Sequence, residues 1–434
     1  MIYAYFIIIL ILGLYRSNKK NENEYLYLSR KLTLPSFIAT IVTTWYGGIL
    51  EIGRFSYING AVTWIIFGFF YYISAIIFAL YIGPKLHKNN IHSIPEYFKQ
   101  TYGVVPQKIT SIILVLLSSP APYLMILSTI LVHIFNINFN IALIFGIVFS
   151  AVYIYSGGFK AIIRTDLIQF IFMYFGFFCM LLYLYCEFGG FEYIKQNVPK
   201  ENLTLTGSLP IGYILSWSLI SMITFIDPSL FQRTYSSQNT TVIKKGFIIS
   251  ILLWFIFDFL TISVGIYASA IIKSSDMILN TNPYLLLADL YLPYILKNIF
   301  YIGILSIVMS TIDSFFFISS ITIGNDLIGE KVSQKNTKIG IILTGLISYL
   351  IAIKFEFVID VWYIFGSIAA SSILIPFLLM LFNKKSVLKF PILSLTIPIM
   401  ISIIWIYLKY PYGIDLMYPG ILSSLLMCLL IKKN

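Results

Sequence analysis

The sequence predicts an all-α integral membrane protein that crosses the bilayer many times. Three observations predict it. Of 434 residues, 59% are hydrophobic and 11% charged, against about 25% charged in soluble domains. The mean hydropathy is +0.89. Apolar runs of spanning length recur along the whole chain, separated by short polar connectors. The largest connectors, near 84–107, 189–208 and 273–293, hold about twenty residues each, too few for an independent soluble domain. These features exclude a soluble globular enzyme and a disordered chain.

The runs number about thirteen, near 2–15, 34–57, 61–83, 108–135, 139–155, 165–188, 209–234, 245–272, 294–323, 338–353, 357–382, 390–407 and 415–431. The first has no basic segment ahead of it, which predicts a retained helix rather than a cleaved signal. The second carries Gly47 and Gly48 at mid-span, flanked by Thr43, Thr44 and Glu51. The seventh ends in Asp227-Pro228 and then Gln232-Arg233. Interruptions at matching places in two halves of a chain point to a transport site, because unwound backbone frees carbonyls for a desolvated ion. The same residues suit plainer roles: paired glycines let helices pack closely, and Pro228 can mark a helix end.

The ninth run holds Ser310, Thr311, Asp313 and Ser314 within one stretch of apolar helix. The hydroxyls of Ser310 and Thr311, with the carbonyl of Ile307 one turn earlier, offer hard oxygen ligands. Serine and threonine equally well bond back to the preceding turn or to a neighbouring helix. Asp313 is an intramembrane carboxylate, and such a group marks a functional candidate by default.

The formal net charge is +11. With the N-terminus outside and the runs alternating, 22 of the 29 lysines and arginines fall in inner loops, among them Arg16, Lys19, Lys20, Lys160, Arg164, Arg233, Lys331, Lys384 and Lys385. That bias predicts N-outside, C-inside and an odd number of spans, and it accounts for the charge without nucleic acid or any acidic partner. The 3 cysteines, Cys179, Cys186 and Cys428, lie in apolar runs and read as packed thiols. The chain has no GxxxxGK[ST] loop, no HExxH and no paired CxxC, so an ATP-driven engine is not visible on it.

Several motifs, in order, resemble the sodium:solute symporter family over roughly residues 30–385. Gly60 follows the broken second run, and Ile94-Pro-Glu-Tyr-Phe-Lys-Gln-Thr-Tyr-Gly103 resembles a cytoplasmic segment of that family. Tyr155-Ser-Gly-Gly-Phe-Lys-Ala-Ile-Ile-Arg-Thr-Asp-Leu-Ile-Gln169 resembles its most specific signature. Phe231-Gln-Arg233, Met309-Ser-Thr-Ile-Asp-Ser314 and Asn325-Asp326 complete the set. The resemblance implies the inverted-repeat fold of the LeuT class, two inverted halves of five core helices each. Here the expected layout is an N-terminal helix and linker over 1–31, a first repeat over 32–208, a second over 209–389 and two further helices over 390–434.

The resemblance also implies a sodium site built from the carbonyls of Thr43, Tyr46 and Ile307 and the hydroxyls of Ser310 and Thr311. Asp166 matches a carboxylate tied to sodium affinity, and Asp313 joins it as an ion-coupling candidate; a helix N-cap is the plainer role for Asp166. Trp45, Glu51, Ser216, Ser221 and Tyr363 are the candidates to line a solute pathway. Apolar Leu50 and Ile220 stand where sugar carriers place amides and acids, which disfavours a sugar. Glu51 suits either the amine of a zwitterion or Arg54, three residues on.

The expected function is therefore Na⁺-coupled symport of a small organic solute in the cell membrane, with no enzymatic activity and no cofactor beyond the coupling ion. An amino acid, carboxylate or vitamin-like solute is expected ahead of a sugar. Two alternatives stay open. One is proton coupling through Asp166, Asp313 or Glu51; the other is a sensor with the symporter fold, which would need a separate signalling partner because the chain stops at Asn434. An intramembrane enzyme is disfavoured, since His87, His92 and His133 do not converge with a nucleophile in the sequence reading.

Overall fold

The computed structural model describes residues 1–15, 22–272, 282–329, 332–382, 386–429 and 431–433. Apart from one short antiparallel pair, Ser386–Leu388 with Ile431–Lys433, the regular structure described is helical. Several cations of the charge count, namely Arg16, Lys19, Lys20, Lys331, Lys384 and Lys385, lie outside the described residues.

The helices follow the apolar runs in order. They are α1 (Ile2–Leu14), α2 (Leu34–Trp45), α3 (Ile49–Asn59), α4 (Val62–Lys88), α5 (Val104–Leu117) and α6 (Ala121–Phe135). Then come α7 (Phe139–Gly157), α8 (Phe159–Phe188), α9 (Ile211–Ile220), α10 (Pro228–Ser236) and α11 (Thr240–Ile271). The last are α12 (Pro283–Tyr291), α13 (Tyr294–Ile321), α14 (Gln334–Lys354), α15 (Val358–Phe382), α16 (Pro391–Tyr407) and α17 (Met417–Leu429). Among the described residues, 9 helical stretches are long and apolar enough to cross a membrane. With the shorter apolar α1, α2, α16 and α17 they cover the thirteen runs.

Local chemistry sets the boundaries. Asn138 caps α7 by accepting from the N–H of Asn140 at 2.9 Å, and Asn239 caps α11 from Val242 at 3.0 Å. Gly158, at φ +57°, separates α7 from α8 in a conformation costly for other residues, and a Cβ there would overlap Tyr25. The sixth run was expected to start at 165; α8 starts at Phe159 instead. The reason is that Lys160 and Arg164 belong to its polar end: Lys160 pairs with Glu24 at 2.7 Å, and Arg164 donates to the Tyr15 carbonyl.

Both expected breaks are present. Tyr46-Gly47-Gly48 separates α2 from α3. A 3₁₀ turn over Ser221–Ile226 and the extended Asp227 separate α9 from α10, where Pro228 occupies the first turn and needs no N–H partner. A third break, at Ser118-Ser119-Pro120 between α5 and α6, interrupts a run that hydropathy alone reads as continuous.

The central element is α13. From Phe300 to Ile321 every residue of this helix is buried, so this part faces protein on every side rather than lipid. Helix α8 packs along it, and Gly176 of α8 meets Gly303 of α13 so closely that a Cβ on either would stand 3.0–3.1 Å from the other's Cα. Helix α2 packs against α8, α11 and α13, which brings the first break to the middle of the bundle.

Candidate functional site

Gly47 and Gly48 are required by close approach rather than by unusual dihedrals. A Cβ on Gly47 would overlap the side chains of Thr311 and Tyr123, and one on Gly48 would overlap the Trp362 ring. The chain before them delivers backbone oxygens to α13. The Thr311 hydroxyl lies 3.1 Å from the carbonyl of Thr44, 3.5 Å from that of Thr43 and 3.1 Å from that of Ile307. All four residues are buried. Thr43, Ile307 and Thr311 are thus together, and Thr44 joins them. Tyr46 is the non-helical residue that closes α2, and its phenol donates to the Trp254 carbonyl at 2.9 Å.

One residue earlier, roughly 100° round the helix, Ser310 points to α8. Its hydroxyl donates to Asp166 Oδ1 at 2.6 Å, and Thr40 donates to Oδ2. Asp166 is fully buried inside α8, about two turns from its start, so it is not an N-cap. Arg233 of α10, placed with the loop cations on sequence grounds, is also fully buried. Its Nη2 shares its protons among Ser314 at 2.6 Å and Thr40 and Thr44 at 3.0 Å each. Thr40 therefore links the guanidinium to the carboxylate. The two opposite charges and four hydroxyls form one network that adjoins the Thr311 oxygens through Thr44.

The remaining sequence candidates divide. Asp313 is fully buried and turns to α7, where Tyr153 donates to Oδ2 while Oδ1 has no partner among the described residues. Trp45 stacks on Trp254 with ring centroids 4.7 Å apart, and Tyr71 stands edge-on to it at 5.3 Å. Trp45, Glu51 and Tyr363 line a cavity of about 230 Å³ between the two breaks, together with Tyr123, Trp217 and Trp362. Ser216 and Ser221 do not line it. Ser216 bonds to the Tyr213 carbonyl at 2.7 Å, and Ser221 to the Ser218 carbonyl and Ser74. The Tyr363 phenol donates to Asp415, whose other oxygen caps α17 at Met417. Glu51 makes no ion pair with Arg54.

Two participants escaped the sequence reading: Arg233 looked like a loop cation, and Thr40 had no motif. Asp258, buried in α11, stands apart from this network. The structure gives Asp258 a hydrogen bond from Tyr72, 186 residues away in sequence. Only the Gln232-Arg233 motif carried a signal for either participant.

A bundle with two broken helices, a central cavity and oxygens converging beside it defines a secondary transporter in a multi-pass membrane protein. The sodium:solute symporter family model matches residues 28–389, and the chain belongs to that family. Curated proteins yield no match. Among solved structures, a Na⁺-coupled sialic acid symporter in a substrate-bound outward-open state is similar at TM-score 0.81 and 17% identity, over 100% of this chain and 98% of the other. Mhp1, a nucleobase-cation-symport-1 family transporter in a closed conformation, is similar at TM-score 0.63 and 11% identity, over 93% of each chain. MhsT in complex with L-phenylalanine is similar at TM-score 0.55 and 13% identity, over 98% of this chain and 97% of that one. At these identities the likeness is one of fold.

Proposed function

We propose that this chain carries a small organic solute across the cell membrane by Na⁺-coupled symport, with an amino acid, carboxylate or vitamin-like solute ahead of a sugar. Sodium would be held by the carbonyls of Thr43, Tyr46 and Ile307 and the hydroxyls of Ser310 and Thr311, with Asp166 and Asp313 as coupling residues. Residues 32–208 and 209–389 would form the two inverted repeats, with the N-terminus outside and the C-terminus in the cytoplasm.

One observation carries this reading: the Thr311 hydroxyl meets carbonyls of the broken α2 and of its own helix at 3.1–3.5 Å, beside the cavity. Oxygens contributed by two separate elements hold an ion only while those elements stay together. Sodium therefore stabilises one arrangement of α2 against α13, and its departure releases it. Beside the oxygens, the Asp166 carboxylate gives the departing cation a second place to interact on one side of the bundle. The driving energy is the ion gradient plus about 2.3 kcal/mol per charge per 100 mV.

The test compares melting of the purified protein in NaCl and in KCl or choline chloride at equal ionic strength. A ligand bound only by the folded state stabilises it by RT ln(1 + [L]/Kd), about 2.7 kcal/mol at a hundredfold excess over Kd. A sodium-specific shift that disappears in Ser310→Ala/Thr311→Ala supports the site. No shift in a folded wild-type protein contradicts sodium coupling and turns attention to pH dependence.

A further inference from the structure

We propose that the solute of the central cavity carries an ammonium group on an apolar or aromatic body, with Glu51 as its counter-ion. The proposal rests on the symport reading, because it takes the cavity as the solute site. It departs from that reading in excluding a simple carboxylate.

The first argument is charge. Three ionic side chains line the cavity: Glu51, Asp227 and Arg233. Arg233 Nη2 is engaged by Thr40, Thr44 and Ser314 while Nε has no partner among the described residues, and Asp166 offsets its charge through Thr40. Asp227 Oδ1 caps α10, accepting from the N–H groups of Ser229 at 2.7 Å and Leu230 at 3.1 Å. Glu51 has no hydrogen bond and no ion-pair contact among the described residues; Arg54, one turn on, acts on it only at a distance. A half-buried carboxylate with no direct contact to a cation is costly, and an incoming cation relieves that cost. An anionic solute meets two carboxylates here against the single guanidinium of Arg233, whose charge Asp166 offsets, which is unfavourable.

The second argument is the wall. Trp45, Tyr71, Tyr123, Trp217 and Trp362 surround the space beside Glu51 and Asp227. Aromatic faces attract a cation within about 6 Å, and more strongly once water is excluded. The third is the supply of polar groups. Among the cavity hydroxyls, Thr224 and Ser367 are each 2% exposed and have no partner among the described residues. Two such hydroxyls suffice to accept N–H bonds from one ammonium head.

The experiment uses the full-length protein in about 100 mM NaCl and reads melting temperature. Phenethylamine, choline and L-phenylalanine are the ammonium probes; 3-phenylpropionate and glucose are the controls. At least one ammonium probe is expected to stabilise the protein, and neither control is. Glu51→Gln, nearly isosteric, should weaken that probe tenfold or more while keeping the sodium shift, which shows that the variant is folded. Glu51→Asp should recover part of the affinity. The proposal is overturned if 3-phenylpropionate or glucose stabilises instead, if Glu51→Gln leaves the ammonium probe unchanged, or if no ammonium probe acts while sodium still does. Loss of the sodium shift in the wild type is a separate result and counts against the symport reading.

Discussion

Asp166 and Arg233 set what single residues can tolerate. Both are fully buried, and Thr40 bridges them. They make no direct ion pair, and Asp227 also acts on Arg233, so losing one charge costs at most the roughly 3–5 kcal/mol of a contacting buried pair. Asp166→Asn should therefore destabilise the protein, and Asp166→Asn/Arg233→Gln should cost less than the two single losses added together. A double-mutant cycle on melting measures that coupling; strict additivity would show that the two charges do not communicate. Thr311→Ser should retain a sodium shift that Thr311→Ala loses, since only the hydroxyl oxygen approaches the Thr43, Thr44 and Ile307 carbonyls. At this scale the sequence was partly legible. Ser310 and Thr311 stood out because hydroxyls are conspicuous in an apolar helix. Arg233 did not, because a cation at the end of an apolar run reads the same whether it snorkels to a loop or folds inward. That distinction depends on Ser314 and Thr44, which sit on other helices.

The two helix breaks differ in cause, and each makes its own prediction. The break before α3 exists because side chains of Thr311, Tyr123 and Trp362 occupy the space where a Cβ on Gly47 or Gly48 would go. Gly48→Ala should displace the Trp362 ring, distort the cavity wall and reduce solute binding at least tenfold, with a smaller loss of stability. Ligand titration by melting separates those effects, and unchanged affinity would show that the contact is slack. The break before α10 exists because Pro228 cannot donate and Asp227 caps in its place. Both were legible, since a glycine pair flanked by hydroxyls and an Asp-Pro step stand out in apolar runs; proline alone does not decide it, as Pro398 lies inside α16. The Ser118-Ser119-Pro120 break was not, because apolar residues on both sides kept the hydropathy high. Gly176 and Gly303 had no visible meaning until α8 and α13 were seen to touch there. Gly176→Leu should separate those helices and lower the melting temperature sharply.

For the whole molecule, a polar cluster ties the short α12 to the ends of α6 and α13. Asp289 accepts from the Tyr301 phenol at 2.7 Å, pairs with His133 at 2.7 Å and lies 3.4 Å from Lys297. Burial pushes the Asp289 carboxyl up, but the Tyr301 bond, His133 and Lys297 more than offset it, so it titrates below the usual carboxylate range. A carboxylate lowered on folding adds stability above its unfolded value of about 3.9 and loses it as the pH falls through the folded value. Asp289→Asn should therefore lower the melting temperature at neutral pH, and the gap to wild type should shrink below about pH 4. A pH series on both proteins checks this; a gap that persists in acid would assign it to packing. The multi-pass, all-helical character of the chain was the most legible level of all, because hydropathy and apolar run length report on the bilayer directly. The cluster at Asp289 was not, since α12 lies in what the sequence offered only as a connector.

Sodium coupling is tested most directly by equilibrium binding of radioactive sodium to the purified protein, wild type against Ser310→Ala/Thr311→Ala, with excess unlabelled potassium present. The expected result is saturable binding that unlabelled sodium displaces, potassium does not, and the double variant loses. Equal binding by the two proteins would contradict a sodium site at Thr311, and no saturable binding to folded wild-type protein would contradict sodium coupling itself.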